Sequence, residues 1–278
     1  MREGIIELLR ECATDLPADV ESALVAAYKK ESGTAKDVLC TILENVRIAR
    51  EKSAPMCQDT GTPIVYVTTP PKADRIRIRR EIIAALRKAT SSVPLRANAV
   101  DPVTGANTGD NTGEGFPAVH FREWKKKRVR FELLLKGGGS ENVTRLYTLP
   151  EKSLNAGRDL EGVERCVLDA VYKAQGKACP PYFIGVGIGG LADATINLSK
   201  RQLLRKVGDI NKDSVLARFE ADAVKKINAL GIGPMGLGGK VTALSCKVGK
   251  QHRNPPSYFV AVSFNCWALR RRTVEVSL

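Results

Sequence analysis

Apolar residues recur at three- and four-residue intervals through most of the first 52 positions, which predicts helices over 4–13, 19–31 and 36–52. The second and third carry DVESALVAAYKK and DVLCTILENVRIAREK, so Asp19 and Asp37 are expected as caps or first-turn acids. The texture then changes. SAPMCQDTGTPIVYVTT is a breaker-rich loop that runs into a β-branched strand, and 73–91 returns to helical spacing. Residues 94–118 hold so much Pro, Gly, Asn and Asp that no regular element fits them, and a loop of that length inside a compact domain is commonly functional. Strand patterns follow near 118–121 and 128–135. Beyond them, helical patterns at 158–175, 190–206 and 212–229 alternate with the strand candidates YFIGVG, KVTALSCKV and YFVAVSF. The expected fold class is α/β, a helical N-terminal third leading into a mixed α/β core, in a single domain over 1–278.

Hydrophobic residues make up 43% and charged residues 27%, the balance of a folded globular chain. No apolar run approaches the roughly 18 residues of a membrane span. The opening MREGIIELLRECATDLP is amphipathic, lacks a signal-peptide core and is too acidic for a transit peptide, so a cytoplasmic protein without a membrane partner is expected. The net charge of +14 favours anionic ligands or partners. Part of that excess gathers at Lys125, Lys126, Lys127, Arg128 and Arg130, and part at Arg270, Arg271 and Arg272; both runs read as solvated edges. Aromatic residues are 5% and nowhere interleave with basic ones, which disfavours nucleic-acid binding.

Seven cysteines at long, irregular spacings, with no CxxC pair, argue against a disulfide framework or a zinc knuckle. Cys12, Cys40 and Cys166 fall in helical patterns and Cys246 in a strand pattern, where a thiol serves as a small hydrophobe. Cys57, Cys179 and Cys266 differ, each standing beside a breaker, a turn or an unusual polar neighbour. Three thiolates from separate loops suit a metal centre with one open position, but spacing alone favours three inert cysteines. Gly185, Gly187 and Gly190 spell GxGxxG after a strand, but no acidic residue follows about 20 positions on at the end of a second strand, so a dinucleotide site is rejected.

The segments MCQDTGTPIVYV, KGGGSEN, CPPYFIGVGIGG, IGPMGLGGK and SYFVAVSFNCWALRR occur in this order. Together they resemble the class I, iron–sulfur-dependent fumarate hydratases, in the form of the α subunit of the two-subunit enzymes. The likeness is shared with the α subunit of L(+)-tartrate dehydratase. It runs from Cys57 to Arg272, with the N-terminal helices and PLRANAVDP in keeping. The resemblance implies a 4Fe-4S cluster with three cysteine ligands, Cys57, Cys179 and Cys266, and one open iron that acts as a Lewis acid on a 2-hydroxy dicarboxylate.

The same resemblance assigns Arg96 to a substrate carboxylate, Gln58 to substrate contact, Asp59 to proton transfer, and Gly138 and Gly139 to backbone amide donation. The family often carries a histidine before the third cysteine, in a pattern like HRHPASFFVAV; Asn254 stands at that place here, and His252 is the remaining catalytic candidate. His120 reads as structural. The implied activity is reversible dehydration of malate to fumarate, together with a separate β subunit in a hetero-oligomer. The alternatives are tartrate dehydration to oxaloacetate and an inactive scaffold homologue.

Overall fold

The computed structural model describes residues 1–277. Helices α1 (Arg2–Thr14), α2 (Ala18–Lys30) and α3 (Gly33–Lys52) come first. Strand β1 (Thr62–Thr69), helix α4 (Arg75–Ser92), strands β2 (Ala118–Glu123) and β3 (Arg128–Lys136) and the short α5 (Gly138–Asn142) follow. Next come β4 (Arg145–Thr148), α6 (Leu160–Ala174), β5 (Tyr182–Ile188), α7 (Ala192–Gln202) and α8 (Ser214–Asn228). Strands β6 (Ala243–Lys250), β7 (Phe259–Asn265) and β8 (Arg271–Ser277) complete the regular elements, so the architecture is α/β with a helical N-terminal part. The chain forms two compact units, each drawn from separate stretches of sequence.

The first unit takes Met1–Pro17, Glu44–Gly138 and the stretch from Arg270 on. Its sheet has the order β2-β1-β3-β8, with β1 parallel to β2 and antiparallel to β3. Val129, Phe131, Leu133 and Leu135 alternate along β3 and face one apolar cluster. The cover of that cluster comes from α1 (Ile5, Leu8, Leu9, Cys12) and α4 (Ile78, Ile82, Ala85, Leu86, Ala89), whose four- and three-residue spacing makes one apolar face. Asp74 caps α4 by accepting the Arg77 N–H at 2.8 Å.

The second unit takes Ala18–Leu43 and Gly139–Leu269. Its sheet runs β4-β7-β5-β6, with β5 parallel to β6 and antiparallel to β7. Ile184 and Val186 of β5 face a core closed by α6 and α8. The opposite face of β5 carries Gly185 and Gly187, where a Cβ would stand 2.1 Å from the Ser199 carbonyl oxygen and 2.3 Å from that of Thr195. The first two glycines of GxGxxG therefore serve the close approach of α7 to the strand, while a Cβ at Gly190 would meet the Gln251 side chain.

Several local expectations need correction. Asp37 lies beyond the first turn of α3, which begins at Gly33 and has no first-turn acid, whereas Asp19 is in the first turn of α2 and accepts the Val207 N–H. Cys40 is exposed, so it is not a core hydrophobe. The run at 270–272 is no solvated edge: Arg270 is 1% exposed and Arg271 8% exposed, and Arg272 pairs with Glu11 and Asp15. The glycine run after β3 opens the short helix α5.

Candidate active site

The segment that carries Cys57 is pinned on both sides. Met56 donates its N–H to the Ala13 carbonyl at 3.3 Å, and its own carbonyl accepts from Asn45 Nδ2 at 2.8 Å. Asp59 holds the other side: Oδ1 accepts the Gly61 N–H at 2.9 Å, Oδ2 accepts the Gly138 N–H at 2.6 Å, and its carbonyl accepts from Arg270 Nη1 at 2.7 Å. Gly61 has φ +86, and a Cβ there would come 2.9 Å from the Leu135 carbonyl carbon, so only glycine fits this turn. The Gly138 amide is thus taken by Asp59 rather than left open. Gln58 is exposed.

Thr60 Oγ1, buried, accepts the Arg96 N–H and a hydrogen from Asn98 Nδ2, each at 3.1 Å. The long irregular loop is thereby tied to the Cys57 segment within the first unit. Arg96 presents an exposed side chain. Asp101, its nearest acid downstream, accepts instead from the Val103 and Thr104 N–H groups and the Thr104 hydroxyl.

In the second unit Cys179 precedes β5 and Cys266 follows β7. These strands are antiparallel with Phe183 opposite Asn265, which brings both cysteines to one end of the sheet. The Trp267 N–H donates to the Cys179 carbonyl at 3.1 Å, and the Met235 N–H to the Pro180 carbonyl at 2.7 Å. Asn265 is 1% exposed; its Nδ2 donates to the Ala268 carbonyl at 3.0 Å and lies 4.0 Å from Cys266 Sγ, while its Oδ1 has no hydrogen-bond partner among the described residues. A buried amide N–H beside a sulfur is a means by which proteins tune sulfur ligands.

His252 follows β6, whose last residue Lys250 stands opposite Ile188 at the far end of β5. The strand length, roughly 20 Å, separates that end from Cys179 and Cys266. Within the second unit the structure does not bring His252 to the two cysteines. Gly139 is exposed at the start of α5. His120 stacks on Tyr66 with ring centroids 4.9 Å apart.

Burial pushes the thiols of Cys12, Cys166 and Cys246 up to about 12. Such thiols resist forming the thiolate that a metal requires. Cys57, Cys179 and Cys266 are half-buried loop thiols by contrast. Among the described residues, no three or more His, Cys, Asp or Glu side chains gather as a single-ion site. No helix among them is long and apolar enough to cross a membrane. Sequence reasoning missed Thr60, Asn98, Asn111, Asn265 and Arg270. The first three lie among ordinary polar loop residues, Asn265 ends the apolar strand β7, and Arg270 was hidden in a run of three arginines.

A family described as fumarate hydratase (Fumerase) matches residues 2–275. A Geobacillus stearothermophilus protein named fumarate hydratase class I is 45% identical over 279 residues, 99% of this chain and 54% of the relative. The chain therefore spans about half the length of that protein. An L(+)-tartrate dehydratase subunit alpha of Methanocaldococcus jannaschii, so named, is 40% identical over 280 residues, 99% of this chain and 96% of the relative. The Escherichia coli L(+)-tartrate dehydratase subunit alpha is 32% identical over 272 residues, 95% of this chain and 86% of the relative. This chain belongs to the fumarate hydratase family.

Proposed function

We propose that this chain is the α subunit of an iron–sulfur hydro-lyase that interconverts malate and fumarate by reversible dehydration. A separate β subunit completes the enzyme as a hetero-oligomer. The observation that carries the reading is the family match along residues 2–275. Near-complete coverage of two proteins named as α subunits, 96% and 86% of their lengths, supports a separate partner and favours L(+)-tartrate as the second substrate reading.

Cys57, Cys179 and Cys266 are the proposed holders of the 4Fe-4S cluster, and their half-buried loop positions fit that donor role better than the three thiols raised by burial. When bound, such a cluster supplies an open Lewis-acid iron that makes hydroxide a tolerable leaving group. The chain's own groups do the rest. Arg96, with its backbone N–H anchored on Thr60, offers a planar fork to one carboxylate of the dianion. Gln58 offers an exposed amide beside the first cysteine. Asp59 holds the loop through both carboxylate oxygens, so taking a substrate proton requires one of those contacts to yield. Gly139 keeps the amide role that Gly138 gives to Asp59.

Anaerobic reconstitution with iron and sulfide, then assay of fumarate, malate and tartrate with the β subunit present, tests the proposal. Expected are bound iron and turnover of one hydroxy dicarboxylate. A colourless, iron-free chain rejects the cluster and leaves a scaffold homologue. Arg96→Lys is expected to raise KM sharply, because a point charge replaces the fork.

A further inference from the structure

The irregular 94–118 loop is ordered around one buried side chain. Asn111 is 2% exposed and its backbone is left-handed at φ +57, a conformation that asparagine adopts more readily than most residues. Its Oδ1 accepts the Asn98 N–H at 2.6 Å. Its Nδ2 donates to the Arg96 carbonyl at 2.7 Å and to Thr90 Oγ1 at 3.1 Å. Thr90 belongs to α4, so the bracket rests on a regular element. The Arg96 N–H is held separately by Thr60 at 3.1 Å. Arg96 is therefore gripped on both sides of its Cα, by Thr60 through its N–H and by Asn111 through its C=O. Its guanidinium makes no hydrogen bond or ion pair among the described residues.

A fully bonded buried amide that fixes the backbone under an exposed, unengaged guanidinium is the pattern of preorganisation. We propose that Asn111 is a positioning residue that presets Arg96 for a substrate carboxylate, and so sets the affinity for the dicarboxylate rather than its turnover. This rests on the substrate role given to Arg96 above.

A double-mutant cycle in the reconstituted complex tests it. Asn111→Gly removes the side chain while keeping the left-handed backbone free of strain. It is expected to raise KM for the dicarboxylate about tenfold or more with kcat within about threefold. In an Arg96→Ala background the same change is expected to add less than about twofold, because the group it positions is gone. Equal effects in both backgrounds, or an unchanged KM for Asn111→Gly alone, overturn the proposal. An unchanged KM for Arg96→Ala alone strikes the substrate role of Arg96 itself, and this inference falls with it. Should Asn111→Gly fail to accumulate, Asn111→Asp serves in the same cycle, since it keeps the Oδ1 acceptor and loses both donors. Hydrogen exchange of the full chain gives a readout without activity: the Asn98 amide is expected to exchange faster in Asn111→Gly, which removes its acceptor, and undiminished protection in that variant overturns the bracket.

Discussion

Replacing Arg270 with methionine is expected to loosen the Cys57 loop while leaving global stability almost unchanged. Arg270 is 1% exposed, donates Nη1–H to the Asp59 carbonyl at 2.7 Å, and has an Nε without a hydrogen-bond partner among the described residues. Two effects oppose each other. The bond from a charged donor to Asp59 contributes roughly 1.5–3 kcal/mol. Burial of a guanidinium that forms no ion pair among the described residues costs several kcal/mol in desolvation, a cost that methionine in the same space does not carry. The second effect matches or exceeds the first, so unfolding in urea should shift by no more than about 1 kcal/mol, in either direction. Locally the outcome differs. Losing 1.5–3 kcal/mol at Asp59 should speed opening of the loop by roughly 10- to 150-fold, read at the Gly61 amide, which is bonded to Asp59 Oδ1. A global loss above about 3 kcal/mol would refute the reasoning, because it would mean the cation is neutralised by a partner. Unchanged exchange at Gly61 would refute the clamp.

Cys57→Ser, Cys179→Ser and Cys266→Ser should each abolish or cripple iron binding on anaerobic reconstitution, whereas Cys12→Ser and Cys40→Ser should leave the iron-to-protein ratio unchanged. Gly185→Ala puts a Cβ 2.1 Å from the Ser199 carbonyl oxygen, so α7 must move off β5. The expected cost is about 1–3 kcal/mol, a Tm drop of roughly 3–10 °C, while Gly208→Ala, with nothing within 4 Å of its Cβ, serves as the control. The Asp110 carboxyl is held down from 3.8 to about 2, first by the Thr112 hydroxyl and then by Arg87. Since its folded value lies below its ordinary one, its contribution to loop order is fully present above pH about 4 and is lost as pH falls toward 2. Amide exchange in 94–118 should quicken over that window in the wild type but not in Asp110→Asn, and a flat wild-type profile would count against it.

Long periodic segments were legible in the sequence because one buried face repeats often enough to be seen. The helices expected at 73–91 and 212–229 appear at Arg75–Ser92 and Ser214–Asn228, YFIGVG lies in β5, and all of YFVAVSF but its tyrosine lies in β7. β4 and β8 were not legible. β4 is the four-residue RLYT at a sheet edge, and β8 opens on arginines that read as solvent-exposed charge. The three loop cysteines stood out by their neighbours, and the ordered motifs pointed to their family. The groups that hold the Cys57 and Arg96 segments left no such trace, since each acts through a hydrogen bond to a residue distant in sequence.

Side-chain chemistry and local periodicity are properties of neighbours along the chain. The amino-acid sequence alone therefore determined the α/β class, the main helices and strands, and the thiol, amide and guanidinium groups on which the proposed dicarboxylate site draws. Tertiary structure decided that Cys179 and Cys266 share one end of a sheet while His252 lies at the other, because strand order and direction are set by pairing between distant segments. It also decided that Arg270 is buried under Asp59 and that Asn111 grips Arg96, because burial and hydrogen-bond partners exist only once those segments have met.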